Sequence, residues 1–182
     1  MTQKESQYSN ELLISFFLPE GMTEWFEVVK VVEEPNHGTT SVDVLYSHVL
    51  NIYMDERDNR SEDQFALKPN GFTETTDIKD YPIRNRKVVL RVRRRRYLDS
   101  DGHNIILNRY PLTSDGTKVS VEFGLCLKMT MDNLPLTATA LGRFYHIKGS
   151  EVERYYKYHL SDYTSWAQKE HSTDWIGGSE HR

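Results

Sequence analysis

The sequence predicts an α+β fold, with an antiparallel β-rich N-terminal domain over residues 10–112 and then a C-terminal helical bundle containing a helix-turn-helix. Three observations support this order. Up to about residue 110 the apolar residues form short runs rich in Val, Ile, Thr and aromatics, separated by turn-forming clusters. After Pro111 they recur at intervals of four, the period of one helix face. The charge changes along the chain too: residues 1–80 hold six Lys and Arg against sixteen Asp and Glu, and residues 81–182 hold seventeen against eleven.

Residues 1–9 are polar and are expected to be mobile. Ser9 or Asn10 is a suitable N-cap for a short helix to about Leu18, which Pro19 and Gly21 would stop. "EWFEVVKVVEE" and "SVDVLYSHV" flank a Pro35–Thr40 loop and predict a β-hairpin. The charge-dense residues 54–70 carry no apolar period and predict a solvated loop. "GFTETTDI", residues 71–78, predicts a third strand, and "DYPIRNR" a turn around Pro82 and Asn85. A strand from Lys87 to Leu98 would follow, then an Asp-Gly turn in "DSDGH" and a partner strand in "NIILNRY". This makes an antiparallel sheet of about five strands. From Thr117, the stripe Val119, Phe123, Leu127 and Met131 predicts a helix, with Gly124 a cost inside it. Further helices would complete a domain over residues 113–168, leaving 169–182 as a flexible tail.

Composition excludes several classes. With 37% hydrophobic, 27% charged and 12% aromatic residues, the chain is neither disordered nor membrane-embedded. The run "ELLISFFLP" is too short to span a bilayer and lacks the flanks of a signal peptide. The one cysteine, Cys126, allows neither an intrachain disulfide nor a cysteine zinc site and fits a reducing cytoplasm.

The strongest charge signal is "KVVLRVRRRRYL". Between Ile83 and Leu98 there are eight positive residues and no acidic one: Arg84, Arg86, Lys87, Arg91, Arg93, Arg94, Arg95 and Arg96. Strand alternation puts Arg91, Arg93 and Arg95 on one face and Leu90, Val92, Arg94 and Arg96 on the other. If Leu90 and Val92 are buried, the first three arginines face outward and the last two pass the sheet's edge. Arginine's planar fork suits phosphate oxygens, which points to nucleic acid. The alternatives are a charged edge strand neutralised by the acidic half, and an anionic lipid surface that no anchor motif supports.

A second signal lies in "LPLTATALGRFYHIKGSEVERYYKYHL". With Ala138 as position 1, Leu141, Gly142, Tyr145, Ile147, Val152 and Tyr155 occupy the apolar or small positions of a helix-turn-helix. Position 9, where positive φ favours glycine, is His146. The second helix would run from about Gly149 to Leu160, burying Val152, Tyr155 and His159. Its outward side would carry Lys148, Ser150, Glu153, Arg154 and Lys157, with the cations reaching guanine edges or phosphates and Ser150 a phosphate near the helix start. A plain structural hairpin remains the other option.

Together, "IKDYPIRNRKVVLRVRRRRYL", "GTKVSVEFGLCLK" and the 134–160 stretch resemble the N-terminal region protein of ISAon-type insertion-sequence transposases of Bacteroidetes, over roughly Leu18 to Trp166. The pattern also resembles the wider ISL-three-type transposases, whose zinc-binding cysteines this chain lacks. The resemblance implies binding to duplex DNA at terminal inverted repeats, through Arg84, Arg91, Arg93, Arg94, Arg95, Arg96 and the helix around Ser150 to Lys157. It also implies a separate catalytic subunit whose DDE domain holds magnesium.

No catalytic set stands out in the chain itself. Asp43, Asp77 and Asp80 suit hairpin surface or turn positions better than a metal site. The seven histidines show no ligand spacing, and no P-loop, G-x-S-x-G or G-x-G-x-x-G occurs. The expectation is a DNA-binding module without enzymatic activity, metal or cofactor, located in the cytoplasm at the nucleoid. A homodimer is left open. A protein-interaction module docking the catalytic subunit, an RNA-binding regulator and a stand-alone transcriptional regulator are the rivals.

Overall fold

The structure, a computed structural model, describes residues 12–37 and 46–162. It is a mixed α+β protein with two sheets in the N-terminal part and helices after them. The expected N-cap at Ser9 or Asn10, Asp43 and the tail from residue 169 lie outside the described residues. A helical turn at 12–15 leads to the short helix α1, Met22–Trp25. Strand β1, Phe26–Pro35, pairs antiparallel with β2, His48–Glu56. The second strand of the hairpin is thus displaced from the expected "SVDVLYSHV": only His48 and Val49 of that stretch lie in β2, and residues 41–45 lie outside the described residues.

The segment read as a loop from residue 54 is partly strand. Strand β2 runs on to Glu56, and Asp55 and Glu56 are buried. Charge density misled the reading there, because these carboxylates meet arginines rather than water. A single 3-10 turn at Glu62–Gln64 follows, with Ser61 and Gln64 forming a reciprocal capping box. The expected third strand is two strands: β3, Lys68–Phe72, and β4, Thr76–Ile83. Pro82 lies in β4 rather than in a turn. It is tolerated because β4 is an edge strand and its register shifts between Asp80 and Ile83. The turn itself is Arg84–Asn85, with Arg84 at φ 55°.

The arginine strand is also two strands. Strand β5, Arg86–Arg93, lies in the first sheet, and β6, Arg95–Leu98, lies in the second with β3 and β7, Asn104–Ile105. Arg94 is the corner between them: its N–H donates to Thr73 Oγ1 at 3.0 Å, and its carbonyl accepts from Thr73 N at 2.8 Å. The first sheet has the order β1-β2-β5-β4. Strand β5 is therefore central and not an edge, and its pairing with β2 is parallel. This corrects the all-antiparallel expectation. The expected partner strand at 104–110 shrinks to β7, after a turn in which Gly102 takes φ 80°.

In β5, Val88, Leu90 and Val92 alternate into the core, where they meet Phe26, Ile52, Met54 and Ile78. Burying each such side chain contributes about 1.5–3 kcal/mol. Helix α2, Val121–Asn133, starts four residues later than the stripe suggests, because Ser120 caps it by accepting from Phe123 N. Val119, Phe123 and Leu127 are buried on a second core with Leu141, Ile147, Val152 and Tyr155. Gly124 is needed there, since a Cβ would strike the Ser114 side chain. Helix α3, Ala138–Tyr145, and α4, Gly149–Tyr155, complete the helical part, and a π-type turn follows at Tyr156–Leu160.

Residues 118–120 join the two cores. Lys79 N donates to Lys118 O, and Ser120 N donates to Lys79 O, both at 2.9 Å, beside the β4 edge. Asp80, expected to start a turn, is instead buried in this seam, where it accepts from Ser120 Oγ at 2.6 Å.

Candidate nucleic-acid interface

The arginine run is largely engaged within the protein. Parallel pairing sets Asp55 opposite Arg93 and Tyr53 opposite Arg91. Arg93 donates to both Asp55 oxygens, at 2.7 and 2.5 Å, in the two-pronged geometry that strengthens a charged hydrogen bond. The bond raises the Arg93 pKa, and the guanidinium also lies 5.0 Å from the Phe72 ring centre. Arg91 donates to Asn51 Oδ1 at 2.9 Å and lies 3.9 Å from Asp77.

At the corner the contacts are tighter. Arg94 donates to Glu56 Oε1 at 3.1 Å and to the Tyr110 carbonyl at 2.6 Å. The Glu56 side chain is 0% exposed, and Arg94 only 14%. Burial raises the Glu56 pKa and lowers that of Arg94, each against the pull of its partner. Arg95 donates its N–H to Glu56 Oε2 at 2.8 Å and its Nε to the Glu56 carbonyl at 3.1 Å. Arg96 Nε is buried without a hydrogen-bond partner. Arg94, expected past the sheet's edge, thus points into the protein, and Arg93 and Arg95 are bonded rather than free on an outward face.

Nearer the turn, Arg86 donates to Glu33 Oε1 at 2.7 Å and Arg84 is exposed. Lys87 is half-buried and lines a cleft beside the helices. Arg93 lies six residues along β5 from Lys87, roughly 20 Å at 3.3 Å per residue. The arginine corner therefore lies toward the other end of β5 from the cleft and the helix pair.

The helix pair follows the predicted spacing closely. Leu141, Gly142, Ile147, Val152 and Tyr155 are buried, and Tyr145 is half-buried. Thr137 caps α3 by accepting from Ala140 N. His146 takes the left-handed conformation, φ 56°, that ends α3 and turns the chain. A Cβ on Gly142 would lie 2.5 Å from the Ile147 carbonyl oxygen and 3.0 Å from Gly149 N, so the close crossing requires glycine. His159, expected on the buried side, is exposed. The π-type turn after α4 has a wider period and turns Tyr156 inward in its place.

Of the outward set, Lys148, Ser150, Glu153 and Arg154 are exposed. Arg154 lies 4.9 Å from the Tyr155 ring centre. Lys157 pairs with Glu153 one helical turn back, at 2.8 Å. Glu151 faces the other way and pairs with Lys79 on β4 at 2.7 Å, tying the helix pair to the sheet and lowering the Glu151 pKa against its burial. A second tie is Tyr46, whose hydroxyl donates to the Phe144 carbonyl and whose ring packs edge-on to His146.

Between the β4–β5 side of the sheet and the helix pair lies a cleft of about 700 Å³. Its walls include Lys79, Lys87, Val88 and Val89 from the strands and Arg143, Ile147 and Lys148 from the helices and their turn. Arg143 is exposed and was not singled out from sequence, although it sits inside the helix-turn-helix pattern. Among the described residues, Arg84, Arg143 and Lys148 have no ion pair.

No family model, curated protein or solved structure matches the chain. Among the described residues no helix is long and apolar enough to cross a membrane.

Proposed function

We propose that this chain is a DNA-binding module whose reading element is the α3–α4 pair acting as a helix-turn-helix. The exposed face of that pair carries the reading: Arg143, Ser150 and Arg154 sit on the two helices and Lys148 in the turn between them, and the crossing at Gly142 leaves no room for a side chain. Such a pair can lay its second helix in a major groove while cations around the turn meet phosphates. Lys148 and Arg143 supply affinity by releasing counterions, and Arg154 and Ser150 are placed to meet base edges or backbone. Glu153 is held by Lys157, which softens its repulsion of phosphate.

On this reading the arginine strand is mainly a scaffold. Arg91, Arg93 and Arg95 are secondary phosphate contacts, because their guanidinium groups already hold partners. Arg94 and Arg96 act within the fold, and Arg84, Arg86 and Lys87 lie at the end nearer the helices. With the resemblance to ISAon-type transposases, the preferred target is a terminal inverted repeat, and a separate subunit carries out strand transfer. The chain itself is proposed to be non-enzymatic, working in the cytoplasm at the nucleoid.

Fluorescence anisotropy on an inverted-repeat duplex and a scrambled duplex tests this. Tighter binding to the repeat is expected, with a plot of log affinity against log salt that flattens by about 2 in Arg143→Ala/Lys148→Ala. Equal binding to both duplexes would remove the reader helix, and no binding at low salt would remove DNA altogether. A second reading, a module that docks a protein, is favoured by Val121, Leu125 and Met129, which lie exposed along one side of α2. It predicts stoichiometric binding to the catalytic subunit without DNA.

A further inference from the structure

The cleft between the sheet and the helix pair has a chemistry that duplex binding does not use. Val88, Val89 and Ile147 give it an apolar floor, and Arg143 and Lys148 stand on the helical side. The Lys79–Glu151 pair bridges its two walls and is neutral as a unit. Asp80, the other acidic residue of the lining, is turned to Ser120. Of the cations that line the cleft, Lys79 is paired with Glu151 and Lys87 is engaged elsewhere, whereas Arg143 and Lys148 have no ion pair among the described residues.

We propose that this cleft binds a small organic phosphate monoester with an apolar or aromatic body. A phosphate monoester carries nearly two negative charges at neutral pH, which matches Arg143 and Lys148. Arginine can hold two of its oxygens at once, and lysine a third. The apolar floor accounts for the organic part, since inorganic phosphate would leave Val88, Val89 and Ile147 uncovered. The cleft volume falls within the range of about 300–1,000 Å³ usual for small-molecule sites. The walls come from both parts of the fold, so a bound ligand would fix the helix pair against the sheet. Competition with a duplex for Arg143 and Lys148 is a corollary that rests on the DNA reading; the ligand site does not.

Isothermal titration of the full chain with adenosine monophosphate and with phenyl phosphate tests the site directly. Inorganic phosphate and adenosine serve as controls, and no DNA is present, so the outcome is independent of the duplex assay. At least one monoester is expected to bind with Kd below about 1 mM and at least about tenfold tighter than either control. Arg143→Gln/Lys148→Gln should weaken it about tenfold or more. Both side chains are exposed, and an unchanged melting curve will show that the fold is kept. Methyl resonances of Val88, Val89 and Ile147 should shift on saturation. Failure of both monoesters to saturate, binding no tighter than inorganic phosphate, or methyl shifts confined to other residues would each overturn the proposal.

Discussion

Replacing Arg94 by alanine should destabilise the protein more than a substitution at any other arginine of the run. Glu56, wholly buried, would lose the guanidinium but keep the Arg95 N–H at 2.8 Å and the Asn59 amide at 3.1 Å. The Tyr110 carbonyl would lose its 2.6 Å donor, and the Phe26 ring the cation 5.8 Å from its centre. Breaking a buried ion pair from one side costs about 3–5 kcal/mol. The two bonds left to Glu56 put the expected loss near the lower end, about 3 kcal/mol. Urea unfolding followed by circular dichroism measures it, provided the m-value stays constant. The double substitution Glu56→Gln/Arg94→Met should recover much of the loss, because no uncompensated charge remains. A loss below about 1 kcal/mol for Arg94→Ala, the level of a surface pair, would refute the argument that the corner is a buried charge network.

Two further predictions concern the helix pair and the seam. Gly142→Val forces a side chain into the Ile147 carbonyl and the Gly149 backbone, which cannot swing aside as a flexible side chain would. It should cost about 1–3 kcal/mol in chemical unfolding and weaken duplex binding, whereas a melt indistinguishable from wild type would show that the helices do not cross there. Asp80 has its pKa raised, first by burial and against the Ser120 hydrogen bond. Its folded form takes up a proton more readily than its unfolded form, so its contribution is full below the ordinary carboxylate range and is lost as pH rises through the folded value. Asp80→Asn should therefore improve stability relative to wild type more at pH 7 than at pH 3, and an equal effect at both would contradict the burial argument.

The core was legible because alternation and helical period speak directly of burial. Leu90 and Val92, and then Val119, Phe123 and Leu127, were all identifiable from spacing alone. Within the helix pair, Leu141, Gly142 and His146 were legible for the same reason: each position has a local steric requirement. The arginine strand was harder. Its charge is visible in the sequence, but its partners Asn51, Asp55 and Glu56 belong to β2 and meet it only through parallel pairing. No local pattern announces such a pairing. A chain that turns from one sheet to another at Arg94 also breaks the simple in-and-out count. Pro82 misled for a related reason, since a proline marks a turn or an edge strand and only the sheet order distinguishes them.

The parallel join between β2 and β5 also bears on how the sheet assembles. The β1–β2 and β4–β5 pairs are hairpin-like and their contacts are close in sequence. Uniting them requires β5 to find β2 across the segment from 57 to 85, a closure whose entropy must be met before its contacts form. Asp55 accepts only one neighbour on β5 as its salt partner, and a slip of one residue would turn Arg91 and Arg93 into the apolar core. The acidic and basic halves of the chain thereby act as a registration mark, which favours one alignment of the two hairpins over every displaced one.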